Sequence, residues 1–382
     1  MSGTQDESSA LVRAALAAGS QTVGRPLSSP VKLTGSDQSV VLRCQDAAGG
    51  TVVIKTYPQD DDGPASFAAE TAGLTISGGT GLAPELLASS AARLTVVMSD
   101  LGSGQSMADV LLADSAAAAR GTLLDWARDC GELAVATTER AAEFETLKSR
   151  YLAGRPDEGD AGRFSGRILA AGERLAKLAA RPGSGLEDVI VPRGIDDDLA
   201  TVAAAIRASQ YPIFTPGDIC PDNNLIIGGR IRFLDFESAD VYSVFLDAAY
   251  IRMPFSTCWC VFRLPSELAA EAEAVYRSQV TRVHPELADD ATWQAGVRRA
   301  VAAWSLRTMS WLLPWAIEED RPMAPDRVCP GSRQLMRYRL RVLVAELSQA
   351  GDLPAIAELA ESLLAATEQW QAAEMPLYPA FR

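Results

Sequence analysis

One segment constrains this chain more than any other. Thr215-Pro216-Gly217-Asp218-Ile219-Cys220-Pro221-Asp222-Asn223-Asn224-Leu225 is followed closely by Arg232-Phe233-Leu234-Asp235-Phe236-Glu237. A polar, turn-forming stretch thus opens onto a short β-like region, Leu225 to Phe236, and long Ala-, Leu- and Arg-rich helical patterns resume after it. Asp218 and Asn223 lie five apart with a proline between them, and Asp235 sits inside the apolar run. Asp218 alone reads as an ordinary turn residue. Together the three offer what phosphoryl transfer needs: a carboxylate to receive or orient a hydroxyl proton, and oxygen ligands to fix a divalent cation on phosphates. Magnesium suits such a set, because it is bound through a few carboxylates plus phosphate oxygens and water.

The rest of the chain arranges itself around that segment. After a short leading helix, Ala10 to Ala18, the first hundred residues read mainly as strands: Val31 to Leu33, Val40 to Gln45, Thr51 to Tyr57, Leu86 to Ser89 and Leu94 to Met98. A helix over Phe67 to Ile76, with Ser66 as its cap, follows the acidic loop Pro58 to Pro64. Beyond Gly102 the pattern turns helical, with Ala108 to Ala119 as the first helix and Arg181 to Asp198 as a loop. The expected architecture is α+β: a small antiparallel β-rich lobe over residues 1–102 ending in a hinge, and a large, mainly helical lobe over 103–382. At 382 residues, size alone favours such a division.

Charge and targeting narrow the partners. A net charge of −14 argues against a nucleic-acid backbone or an anionic membrane surface, while leaving room for a local basic pocket. Met1 to Ser9 lacks the basic region and apolar core of a secretory signal, and no apolar run reaches the length of a membrane span, so the expectation is cytoplasmic. The six cysteines are far apart except Cys258-Trp259-Cys260, whose spacing is neither a redox pair nor a zinc pair; free thiols are expected. The single histidine, His284, reads as an uninvolved surface residue and argues against three-histidine metal sites, histidine-based triads and phosphohistidine relays.

With these residues in place, the chain resembles the aminoglycoside phosphotransferase and choline kinase-like family, which has a two-lobed protein-kinase-like fold. Gly217-Asp218-x-x-x-x-Asn223 resembles the family's catalytic loop, and Leu234-Asp235-Phe236-Glu237 its metal-binding segment. The resemblance implies Asp218 as catalytic base, Asn223 and Asp235 as Mg²⁺ ligands, and Asp247 as a structurally important aspartate. Two departures are visible: Pro216 and Cys220 stand where the family commonly carries histidines.

Val52-Val53-Ile54-Lys55-Thr56-Tyr57 reads as a buried strand carrying one lysine, and Glu70 lies early in the following helix. Pairing the two would hold the ammonium against the α- and β-phosphates. Leu33 to Val40, with Gly35 and Ser36, resembles the family's phosphate-covering loop, although it also reads as a hairpin turn. Val96 to Gly102, with Met98 and Ser99, resembles the hinge that binds an adenine edge through backbone groups. Asp196-Asp197-Asp198 reads as a solvated helix cap, and Trp304, Trp311 and Trp315 as core. Cys258 to Cys260 follows the metal segment, toward the acceptor cleft.

The implied activity moves the γ-phosphate of ATP, or of GTP since hinge recognition runs through backbone, to a hydroxyl of a small polar acceptor, with Mg²⁺ as cofactor. The competing expectation is a catalytically silent kinase-like protein that binds a nucleotide or a partner. A protein acceptor is disfavoured because no activation segment with an Ala-Pro-Glu-like end follows Asp235.

Overall fold

The computed structural model describes residues 2–33, 39–206, 210–255, 258–348 and 350–382. Gly35 and Ser36, in the expected phosphate-covering loop, lie outside the described residues. Helix α1 (Ser2–Val23) precedes strands β1 (Leu27–Lys32), β2 (Val40–Asp46) and β3 (Thr51–Thr56). Helix α2 (Gly63–Ser77) then leads to β4 (Leu86–Ser90) and β5 (Thr95–Ser99). These strands form one antiparallel sheet in the order β1-β2-β3-β5-β4. On β3, Ile54 and Lys55 are both buried but point to opposite faces, as strand alternation requires. Ile54 packs with Leu42, Val52 and Val97 beneath Ala15 of α1, and Lys55 faces α2 on the other side. A lysine can be buried there only because carboxylates meet it.

The remainder is mostly helical: α3 (Met107–Leu112), α4 (Ala116–Thr137), α5 (Ala141–Leu152), α6 (Gly159–Leu169), α7 (Ala171–Ala179) and α8 (Ile195–Ile206). Four short strands follow, β6 (Pro212–Thr215), β7 (Asn224–Ile227), β8 (Arg230–Phe233) and β9 (Asp240–Ser243). The chain closes with α9 (Val244–Arg252), α10 (Ser266–Val280), α11 (Asp290–Glu318), α12 (Ser332–Leu347) and α13 (Pro354–Ala366). β7 and β8 make a hairpin through Gly228-Gly229, and β6 pairs with β9, bracketing residues Pro216 to Asn223 between two small antiparallel ladders. The hairpin is pinned from both sides. Wholly buried Asp129 of α4 accepts from the N–H of Ile231 at 2.9 Å, and the Phe233 N–H donates to the Leu82 carbonyl at 2.8 Å.

Several boundaries differ from the sequence reading for local reasons. α1 is longer at both ends than Ala10 to Ala18. α2 starts at Gly63 instead of after Ser66, because the Asp60 carboxylate accepts from the N–H groups of Asp62 and Gly63 and Pro64 needs no donor partner. The expected helix Ala108 to Ala119 is two helices. Ser106 caps α3 in a reciprocal box with Asp109, and Ser115 caps a fresh start at α4. Asp198 is no solvated cap: it lies inside the first turn of α8, and its carboxylate accepts from Ala355 and Ile356 N–H, capping α13 instead. His284 is half-buried, its ring nitrogen 3.0 Å from the Pro212 carbonyl. Trp304 is core, donating to the Leu246 carbonyl, whereas Trp315 is 42% exposed. No helix among the described residues is long and apolar enough to cross a membrane.

Candidate active site

Lys55 is the node of the site. Its ammonium lies 3.1 Å from Glu70 Oε2, 2.7 Å from Asp235 Oδ1 and 3.1 Å from Glu237 Oε2. The structure thereby brings together residues separated by 180 positions in the chain. Burial works against the lysine's charge, but Asp235 and Glu70 outweigh it and hold the ammonium protonated well above the usual lysine range. Glu70 is fully buried and accepts three donors on one oxygen: Lys55, the Tyr57 hydroxyl at 3.0 Å and the Phe236 N–H at 3.0 Å. A single carboxylate of α2 thus orients the lysine and fixes the backbone beside Asp235.

The charge balance of this cluster points to a cation. Glu70, Asp235 and Glu237 face one ammonium, and burial pushes the Glu237 carboxyl up, with Asp235 and Asp218 adding to that push. A divalent ion offsets such an excess. Asp235 Oδ1 is engaged by Lys55 and by the Glu237 N–H, which leaves its second oxygen for a ligand role. The Asn223 amide nitrogen donates to the Asp218 carbonyl at 3.4 Å, so the amide oxygen is the end left to a cation. One amide oxygen and one carboxylate form a hard donor set that fits magnesium shared with phosphates.

The loop from Gly217 to Asn223 is braced from below. The Thr215 hydroxyl donates to buried Asp247 at 3.2 Å and accepts from the Gly217 N–H at 3.2 Å. Burial pushes the Asp247 carboxyl up to about 7, against the hydrogen bond from Thr215. Gly217 has φ +85°, and a Cβ there would meet the Ser238 carbonyl oxygen at 2.1 Å, so only glycine lets the loop pass this close to the segment after Asp235. Asp218 Oδ1 accepts from the Cys220 N–H at 3.3 Å in a tight Asx-type turn. Pro221–Asn223 then forms a single 3-10 turn that leads directly into β7.

Met98 is buried on β5, and the backbone N–H and hydroxyl of Ser99 are taken up by Glu85. The segment after them is held by Arg43 of β2, which forks onto Asp100 at 2.8 and 2.9 Å and onto the Gly102 carbonyl at 2.7 Å. Sequence reasoning missed this clamp, as it missed the direct parts played by Tyr57 and Glu237. The signals were faint: Tyr57 is two residues from Lys55, and Glu237 two from Asp235, each on the same strand-like face. Two open cavities, about 810 Å³ beside Arg252 and Glu273 and about 660 Å³ beside Lys148 and Asp240, contain none of these groups. The convergence of charge, more than cavity size, locates the site.

No protein-family model matches the chain, and no curated protein matches it in sequence. Solved structures do resemble it. Choline kinase from Cryptosporidium parvum aligns over 87% of this chain and 93% of its own with a TM-score of 0.53 at 13% identity. Plasmodium vivax ethanolamine kinase aligns over 84% and 82% with a TM-score of 0.50 at 13% identity. The likeness shows the fold: the chain has the two-lobed, protein-kinase-like architecture of these enzymes.

Proposed function

We propose that this chain is an ATP-dependent phosphotransferase that moves the γ-phosphate to a hydroxyl of a small polar molecule. The observation that carries the reading is the four-residue cluster of Lys55, Glu70, Asp235 and Glu237, set beside the loop that bears Asp218 and Asn223. In this reading Lys55, oriented by Glu70, holds the α- and β-phosphates, and the backbone from Met98 to Gly102 borders the adenine. Asn223 and Asp235 are the residues that would hold magnesium, which when bound neutralises the phosphate oxygens. Asp218 orients the acceptor hydroxyl and takes its proton as the new P–O bond forms and the bond to the β-phosphate oxygen breaks, releasing ADP. The likeness to choline and ethanolamine kinases favours a small acceptor, a sugar, amino alcohol or natural product among them. The retained set of phosphate-, metal- and proton-handling groups favours an enzyme over a silent nucleotide binder.

A panel screen for acceptor-stimulated ADP release tests this directly. The expected result is magnesium-dependent ADP formation matched by a phosphorylated acceptor. Transfer of AMP to the acceptor would place the reaction in another class.

A further inference from the structure

Three buried thiols beside the catalytic loop take no part in the chemistry above. We propose that Cys220, Cys258 and Cys260, together with the Asp222 carboxylate, form a structural zinc site that staples the catalytic loop to the segment after α9.

The ligand atoms come from two stretches that the sequence keeps 36 residues apart. The sulfurs of Cys220 and Cys258 and a carboxylate oxygen of Asp222 all lie within 4.8 Å of one another. The Cys258 sulfur is 3.6 Å from Asp222 Oδ1. Zinc–sulfur bonds of about 2.3 Å and zinc–oxygen bonds of about 2.0 Å at tetrahedral angles require a sulfur–oxygen edge of about 3.5 Å, so this edge already has the length of a filled site. Cys260, whose thiol neighbours that of Cys258, lies outside this cluster of three and would complete the set by a turn of its side chain.

Polar groups converge on these sulfurs. The Trp259 indole N–H donates to Asp222 Oδ2 at 2.8 Å, which turns Oδ1 toward the sulfurs, the kind of outer hydrogen bond that orients a metal-ligating carboxylate. The Cys260 backbone N–H points at the Cys258 sulfur at 3.3 Å, and the Tyr250 hydroxyl lies 3.8 Å from the Cys220 sulfur. The guanidinium of Arg339, fully buried, is close enough to Cys220 for their charges to interact, as a site carrying three thiolates and a carboxylate on one divalent ion needs. Soft sulfur ligands select zinc over magnesium. The two sites stay distinct because Asp222 and Asn223 are neighbours on a turn of three residues, so their side chains leave it in different directions. Binding displaces the thiol protons to solvent and changes no oxidation state.

The spacing Cys258-Trp259-Cys260 is not a zinc signature by itself, and the missing ligands lie in the catalytic loop. That is why the site is invisible until the chain is folded.

The test is elemental analysis of the full chain, purified without an affinity tag from zinc-supplemented cells. About one zinc per chain is expected, released by an organomercurial that titrates the thiols. Cobalt exchanged into the same protein should show a thiolate charge-transfer band and the intense visible bands of a tetrahedral ion. Cys258→Ser should lower zinc content about tenfold or more, while Cys130→Ser, at a buried thiol outside the cluster, should leave it unchanged. The cobalt spectrum of the unmutated protein keeps the test valid where a variant fails to fold. Trace zinc together with no cobalt bands would overturn the proposal, and so would a Cys220–Cys258 disulfide found by mass spectrometry in freshly purified protein.

Discussion

The segment from Asp218 to Glu237 is held from two sides, and the two sides are built on different principles. On the side of the proposed nucleotide site, Lys55 and Glu70 reach it, and one ammonium faces three carboxyl groups, with burial pushing that of Glu70 up to about 7. That side is left with negative charge to spare, a state suited to a ligand that brings a cation and phosphates. On the opposite side, Cys220, Asp222, Cys258 and Trp259 meet through sulfur and one oriented carboxylate, and Asp247 supports the loop through Thr215. In the proposed reading the nucleotide side exchanges its ligand while the other side stays put. A phosphoryl-transfer site needs both, since the base must keep its position while the nucleotide comes and goes.

The comparison can be broken most severely at Asp218. Asp218→Asn should lower kcat by about 10²–10⁴, equivalent to about 3–5 kcal/mol, with nucleotide affinity unchanged. Steady-state kinetics at saturating substrates would check it, and retention of more than about a tenth of the parent rate would remove Asp218 as the base. Lys55→Met tests the nucleotide side. It leaves fully buried Glu70 facing Asp235 without the ammonium, so unfolding stability should fall by about 3–5 kcal/mol in denaturant titrations. A loss well below that range would mean the cluster relaxes by taking up a proton.

Asp247 sharpens the other side through pH. Its carboxyl titrates at about 7 when folded, above the ordinary value near 4 of an unfolded aspartate. The folded state therefore binds the extra proton between these values, and the stabilising contribution, complete below about pH 4, is lost as pH rises to about 7. Asp247→Asn should flatten the decline in melting temperature across that window; an unchanged profile would assign the decline to other groups. The smallest effect is expected at the hinge. Arg43→Lys keeps the charge but loses the fork onto Asp100 and the Gly102 carbonyl, and should cost about 1 kcal/mol of stability. It should weaken nucleotide binding without a large change in kcat, as a paired titration and rate measurement would show.

The two sides also differ in how far the sequence announced them. Lys55, Glu70, Asp218, Asn223 and Asp235 occur in an order that resembles a known family, and each sits at a recognisable local position, a buried strand, the helix that follows it, a proline-bearing loop and a hairpin edge. The fold was legible for the same reason, because strand and helix periodicities segregate along the chain. Tyr57, Glu237 and Arg43 were not assigned, since their roles depend on which side chains meet across the sheet and cleft. Asp198 was misread because its partner, the start of α13, is 157 residues away. The cysteines, Cys258 and Cys260 apart, looked scattered for the same reason: spacing along the chain reports local geometry, and the meeting of Cys258 with Cys220 and Asp222 is a tertiary contact.

The central claim is that the Lys55 cluster is a magnesium–nucleotide site. Calorimetric titration of ATP into the unmutated protein and into Asp235→Asn, each with and without magnesium, tests it most directly. The account predicts binding to the unmutated protein that strengthens with magnesium, and a loss of about tenfold or more of that magnesium-dependent affinity in Asp235→Asn. Equal affinity with and without magnesium, or an Asp235→Asn protein that binds magnesium–ATP as well as its parent, would contradict it.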